Sequence, residues 1–389
     1  MPSLRSARRA AILVVAALSA RQAEAQEPWR ASYFPYVVGG PTDGLMGIVR
    51  HQWTKNAPYF VTKKNGDEIL NPLSFAGAVS LEGGYGTRGT RFVSGIFRGP
   101  GLVDGWRFHG ELTARRDGRF GYYPGGGETV GDPEGEANRV RRSRYLARFE
   151  LTRRIAGPLM VSAAGSLERT EFSPLSDQSL LTVPIKGTDA TSRFSVILDT
   201  RDAEFVPANG ILAEAGVYTG TDGIDLSVED DGGRASYHGG YVHLRGYVSP
   251  RPGTVIAGRF GYRGLSAGAP LSATYQLPGW EKDITVLGGV ESHRGFVKGR
   301  MNGRGVILGG LEVRHDLLNA GDFGAITLLG FVDGGRAFYD EGPRLTTEGW
   351  DMGYGGGVAL RILRSAVLTF NFAGGPDGFT FGTGTGWSF

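Results

Sequence analysis

The sequence predicts an all-β fold: a 16-stranded antiparallel β-barrel that crosses a membrane. Three observations carry this. Segments of about ten residues alternate apolar and polar with a period of two, and helical periodicity is almost absent. The segments are separated by Gly, Pro, Asn and Asp clusters in a chain with 65 glycines among 389 residues. The links between them alternate in length, as short periplasmic turns and long outer loops do in outer-membrane barrels.

In chain order, residues 1–25 read as a secretory signal peptide. Arg5, Arg8 and Arg9 form its basic start, Ala10 to Ala20 its apolar core, and Ala23-Glu24-Ala25 its cleavage site. The core is too short to span a bilayer as a helix. Residues 26–44 form a short periplasmic segment, and the barrel occupies 45–389. Its first eight strands fall near 45–54, 74–86, 90–100, 105–116, 119–123, 142–154, 158–170 and 191–200. The remaining eight fall near 211–220, 236–249, 254–264, 303–315, 323–335, 351–362, 366–374 and 379–389.

The faces of these strands say where each side points. Trp106, Phe108, Gly110, Leu112 and Ala114 alternate with Arg107, His109, Glu111, Thr113 and Arg115. Tyr145, Ala147, Phe149 and Leu151 alternate with Arg148, Glu150 and Thr152. Ile256, Gly258, Phe260 and Tyr262 alternate with Ala257, Arg259, Gly261 and Arg263. The polar face is too charged for the wet side of a sandwich; it suits a polar lumen, with lipid against the apolar face. Short links fall at Thr87-Arg88-Gly89, Asp117-Gly118, Ile155-Ala156-Gly157, the turn through Pro207 and Gly210, and Ser249-Pro250-Arg251-Pro252. The links after the first, fifth, seventh, ninth, eleventh and thirteenth strands are longer. Gly125 to Glu136 is a glycine-rich acidic loop. Closure is required, because an open edge in lipid leaves peptide groups unpaired at several kcal/mol each.

Composition narrows the chemistry. The absence of cysteine excludes disulfide scaffolds and thiolate metal sites. The first 25 residues carry four arginines and one glutamate, so the rest of the chain is formally neutral and offers nothing to nucleic acid. His51, His109, His238, His243, His293 and His315 form no metal-ligand motif, so no metal or other cofactor is expected. A hydrolase would have to draw on His109, Glu111 and His243 in the lumen; the expectation is no enzyme. A passive or gated channel for small solutes is the alternative function, its path lined by Arg107, Arg115, Arg148, Arg259 and Arg263.

Three segments resemble one family. Asp199-Thr200-Arg201-Asp202-Ala203-Glu204-Phe205-Val206-Pro207-Ala208-Asn209-Gly210 is similar to the turn motif, built on Asp199, Arg201, Pro207 and Gly210, of the BamA/TamA-type or bacterial surface antigen barrels, the outer-membrane assembly factors. Leu287-Gly288-Gly289-Val290-Glu291-Ser292-His293-Arg294-Gly295-Phe296 resembles that family's long-loop signature, with His293 where Val or Leu is usual. Gly309 to Arg314 and Phe331-Val332-Asp333-Gly334-Gly335 resemble the two strands that follow it. The resemblance implies that the loop between the eleventh and twelfth strands, residues 265–302, folds into the barrel. It also implies that Arg294, with Gly295 and Phe296, latches there onto Asp333 beside Glu312. Phe379, Phe381, Thr383, Thr385, Trp387 and Phe389 read as one face of the last strand. Trp387 and Phe389 resemble the C-terminal signal read by the barrel-insertion machinery.

The family's periplasmic POTRA domains do not fit in residues 26–44, so the chain reads as a POTRA-less member. The implied function is assistance in inserting or translocating proteins, or lipids, at the bacterial outer membrane. The implied mechanism is a weak seam between the first and last strands, with Gly382, Gly384 and Gly386 in the latter. The implied partners are outer-membrane lipids, the insertion machinery for the chain's own assembly, and a separate periplasmic partner or client protein.

Overall fold

The computed structural model describes residues 28–63, 66–124, 131–222, 235–280, 282–339, 344–362 and 366–389. The signal-peptide reading of 1–25 lies outside them, as does part of the glycine-rich loop. Sixteen strands form one antiparallel sheet in chain order. They are β1 (Arg30–Gly40), β2 (Gly44–Asn56), β5 (Phe75–Gly86), β6 (Arg91–Val103), β7 (Trp106–Gly121), β8 (Arg139–Ala156), β9 (Leu159–Pro174) and β10 (Ile185–Asp199). Then follow β11 (Gly210–Asp222), β12 (Ala235–Arg251), β13 (Thr254–Leu265), β14 (Gly305–Asn319), β15 (Gly324–Phe338), β16 (Asp351–Ile362), β17 (Ala366–Gly375) and β18 (Gly378–Thr385). Two short strands, β3 (Phe60–Thr62) and β4 (Glu68–Leu70), pair with each other in a separate two-stranded sheet.

The sheet curls into a nearly closed barrel whose faces follow the alternation. On β8, Tyr145 and Phe149 are exposed, while Arg144, Arg148, Glu150 and Thr152 are buried. The outward face is apolar and exposed, and the charges on the inward face pair with one another. Arg144 reaches Glu168 at 2.9 Å, and Arg148 reaches Glu150 at 2.7 Å. No helix among the described residues is long and apolar enough to cross a membrane.

The count of sixteen holds, but two of its members differ. Arg30–Gly40, read as part of a periplasmic segment, is the first barrel strand, paired with β2 throughout. Phe34, Pro35, Tyr36, Val37 and Val38 are apolar on both faces, so the stretch shows no period of two. Residues 105–116 and 119–123, read as two strands, are one strand, β7. Asp117-Gly118 reads as a turn, but the strand only shifts register there. Asp117 is buried between Arg115 at 2.6 Å and Arg142 at 2.7 Å. The extra first strand also moves the link at 57–74 to the rim that carries the tight turns at 104–105 and 157–158, not the rim of the long loops.

Candidate functional site: the inward loop and the seam

The chain between β13 and β14 is anchored from both sides of the lumen. It holds one short helical turn, α1 (Leu271–Thr274). Arg263 on β13 gathers its two ends. The guanidinium donates to the carbonyls of Ala273 at 2.5 Å, Gln276 at 2.8 Å and Thr274 at 3.3 Å, and also to that of Gly303.

Pro278 to Trp280 and Asp283 dock on β8, β10, β11 and β12. Asp283 sits between Arg193 at 2.7 Å and Arg148 at 3.0 Å. Trp280 donates its main-chain N–H to Glu214 at 2.7 Å and its indole N–H to Thr152 at 3.0 Å. His243 lies 2.5 Å from the Pro278 carbonyl, which gives this lumen histidine a partner in the loop. Burial alone would raise the Asp283 carboxyl, but Arg148, Arg193 and the Gly279 N–H outweigh it and hold it well below the usual carboxylate range.

The loop tip docks on β14 and β15. Arg294 donates through Nε to one oxygen of Asp333 at 2.7 Å and through Nη2 to the other at 3.0 Å, the bidentate fork a carboxylate suits best. Its main-chain N–H adds a third bond to Asp333 at 3.0 Å, and Nη1 reaches Glu312. The guanidinium lies over the Phe331 ring at 3.4 Å. Each carboxylate has a second arginine: Arg259 for Asp333 at 3.1 Å and Arg314 for Glu312 at 2.7 Å. Such a buried cluster persists only because each charge is met.

Gly295 crosses β16 and β17 at glycine positions. A Cβ on it would lie 2.7 Å from the Gly353 Cα and 3.1 Å from the Gly375 Cα. Phe296 is buried among Leu287, Met301 and Leu308. His293, 4.5 Å from the Phe296 ring, bonds the Asp351 carbonyl at 3.0 Å, and burial lowers its pKa. Asp377, between β17 and β18, accepts from the Val297 N–H at 2.9 Å and from Arg300 at 3.1 Å.

The other motif residues lie elsewhere. Asp199 accepts from the Arg201 main chain at 3.1 Å and from its guanidinium twice at 2.8 Å. Gly210 takes a φ of 106°, and Pro207 is buried in the turn between them. This turn bonds β7 through Arg107–Glu204 and β12 through Asn209–Ser249.

The last residues differ from the expectation of one continuous strand face. β18 ends at Thr385, and Gly386 at φ 107° turns the chain inward. Phe389 is buried, its carbonyl accepting from Arg314 at 2.6 Å and its ring 4.7 Å from Arg259. Trp387 stacks on Arg314 at 4.2 Å. The end of the chain thereby joins the loop's docking site.

β1 and β18 are the two ends of the sheet, without a ladder between them. Among the described residues, Thr383 makes the hydrogen bonds across this seam: its Oγ1 accepts from the Gly39 N–H at 2.6 Å and donates to the Gly39 carbonyl at 3.0 Å. A cavity of about 370 Å³ lies inside the seam, lined by Tyr36, Gly39, Val290, Asn371, Thr380 and Thr383 among others. The sequence pointed to Arg294, Asp333 and Glu312, which the structure brings together. It gave no sign of the Asp283 anchor, because nothing local ties that aspartate to Arg148 and Arg193.

A polar lumen crossed by its own loop and an unzipped seam define a transmembrane β-barrel of the outer-membrane type. The Omp85 superfamily domain model matches residues 76–387, and the chain belongs to that superfamily. In fold it is similar to BamA from Haemophilus ducreyi lacking POTRA domains 1–3, with a TM-score of 0.55 and 14% identity over 92% of this chain and 70% of that one. CdiB from Escherichia coli is similar at TM-score 0.55 and 14% identity, over 92% of this chain and 62% of that one. A search of curated proteins returns no match.

Proposed function

We propose that this barrel assists the insertion or translocation of proteins, or lipids, at the bacterial outer membrane, without catalysing a covalent reaction. The supporting observation is the seam. β1 and β18 pack side by side, but among the described residues their hydrogen bonds are those of Thr383 to Gly39 and no ladder joins the two edges, the arrangement that can hydrogen-bond an incoming extended segment. The anchored loop supports the same reading, since it occupies the lumen that a wide passive pore would need. The barrel would work with outer-membrane lipids around it, a client protein at the seam and a separate periplasmic partner to deliver that client. Its own insertion would depend on the barrel-insertion machinery.

The test is reconstitution. With the full chain in phospholipid vesicles, an unfolded eight-stranded barrel protein should fold faster than in empty vesicles. In planar bilayers the current should be small and flickering. A steady, large, ion-selective current with no acceleration of folding would overturn the assignment in favour of a porin.

A further inference from the structure

β1 pairs with β2 one residue for one, from Arg30 opposite Thr54 to Gly40 opposite Gly44, without a bulge. In such a strand the N–H and C=O of one residue point to the same side, and the side alternates along the chain. Gly39 sets the phase: both its groups are bonded to Thr383, so they face the seam and not β2. Ala31, Tyr33, Pro35 and Val37 therefore face the seam too. With Gly39 they make five, and the middle one is proline, which offers a carbonyl and no N–H. In this phase the missing donor costs the β1–β2 ladder nothing.

The side chains of this set point to lipid, with Tyr33 61% and Val37 60% exposed, whereas Tyr36 is buried inside. A segment docking here takes the antiparallel direction of β18 and sets apolar side chains beside Tyr33 and Val37. Opposite Pro35, one of its carbonyls finds no donor. The open edge in turn carries one orphan donor fewer, where each orphan in hydrocarbon is costly. Both effects weaken closure and favour the open seam.

Building on the seam assignment above, we propose that Pro35 is a release residue: it limits how firmly an extended amphipathic polypeptide segment is hydrogen-bonded to β1, so that the segment leaves. The partner is a client chain in β conformation, held along Ala31, Tyr33, Val37 and Gly39 with a break at the centre.

The experiment uses the full chain in detergent micelles and a fluorescent synthetic peptide of residues 376–389, which contains β18. Dissociation is followed by stopped-flow anisotropy. Pro35→Ala restores the donor and should slow dissociation about tenfold, the weight of one net hydrogen bond. Val37→Pro removes a second seam-facing donor and should speed it, and the double variant should fall near the wild type. Equal rates for wild type and Pro35→Ala, with clear binding by both, would overturn the release role while leaving the seam assignment intact. Failure of the peptide to bind any of the proteins would overturn both.

Discussion

Replacing Arg294 by alanine removes the guanidinium and leaves the main-chain N–H to Asp333. Three charge-assisted bonds go: two to Asp333 and one to Glu312. Breaking a buried ion pair costs about 3–5 kcal/mol, mostly because a charge is left behind without a partner. Here neither carboxylate is stranded, since Arg259 stays on Asp333 and Arg314 on Glu312. The loss therefore belongs at the low end, about 3 kcal/mol, or roughly a hundredfold in the docking equilibrium of the loop tip. Asp333→Ala leaves two guanidiniums short and should cost more. Arg294→Lys keeps the charge without the planar fork and should fall between wild type and Arg294→Ala. Hydrogen exchange reads this directly at Gly288 and Phe296, whose N–H groups are bonded within the tip. Their exchange should rise in Arg294→Ala and more in Asp333→Ala, together with a lower temperature for loss of the folded band on gels. Unchanged protection in both variants would refute the latch.

Two further outcomes follow from the loop's other contacts. Gly295→Ala places a methyl against the Gly353 and Gly375 main chains, which cannot turn aside as a side chain would. It should destabilise tip docking by about 1–3 kcal/mol in the same exchange experiment. The Asp283 anchor sets a pH dependence. A carboxyl depressed in the folded state gives its full support above the unfolded pKa of about 3.9 and loses it as pH falls towards the depressed value. Loop protection should hold from pH 7 to 5 and weaken below about pH 4. Asp283→Asn should be looser throughout, and its difference from wild type should shrink in acid; a constant difference would refute the anchor.

The strands with one charged face were legible because the lumen demands polarity at every second residue. β8 and β13 show this with Arg148, Glu150, Arg259 and Arg263. β1 was not legible, because Pro35 and its apolar neighbours hide the period. β7 was divided at Asp117-Gly118 because its local signal is that of a turn. The arginines that satisfy Asp117 on a continuing strand include one on another strand, Arg142. Arg294 and Asp333, 39 positions apart, were paired only through the family pattern. The inward turn at Gly386 depends on Arg259 and Arg314, which no local pattern reveals. Asp283 had no signal at all, since its partners lie on β8 and β10.

The seam is the central claim, and a cysteine-free chain allows it to be closed covalently. Gly39 and Thr383 already meet across it, so Gly39→Cys with Thr383→Cys can be joined by a short bis-methanethiosulfonate linker, which reduction releases. With the bridge formed, acceleration of client folding in vesicles should vanish, and reduction should restore it, while each single variant stays active. A bridged barrel that accelerates folding as well as the reduced one would contradict the account.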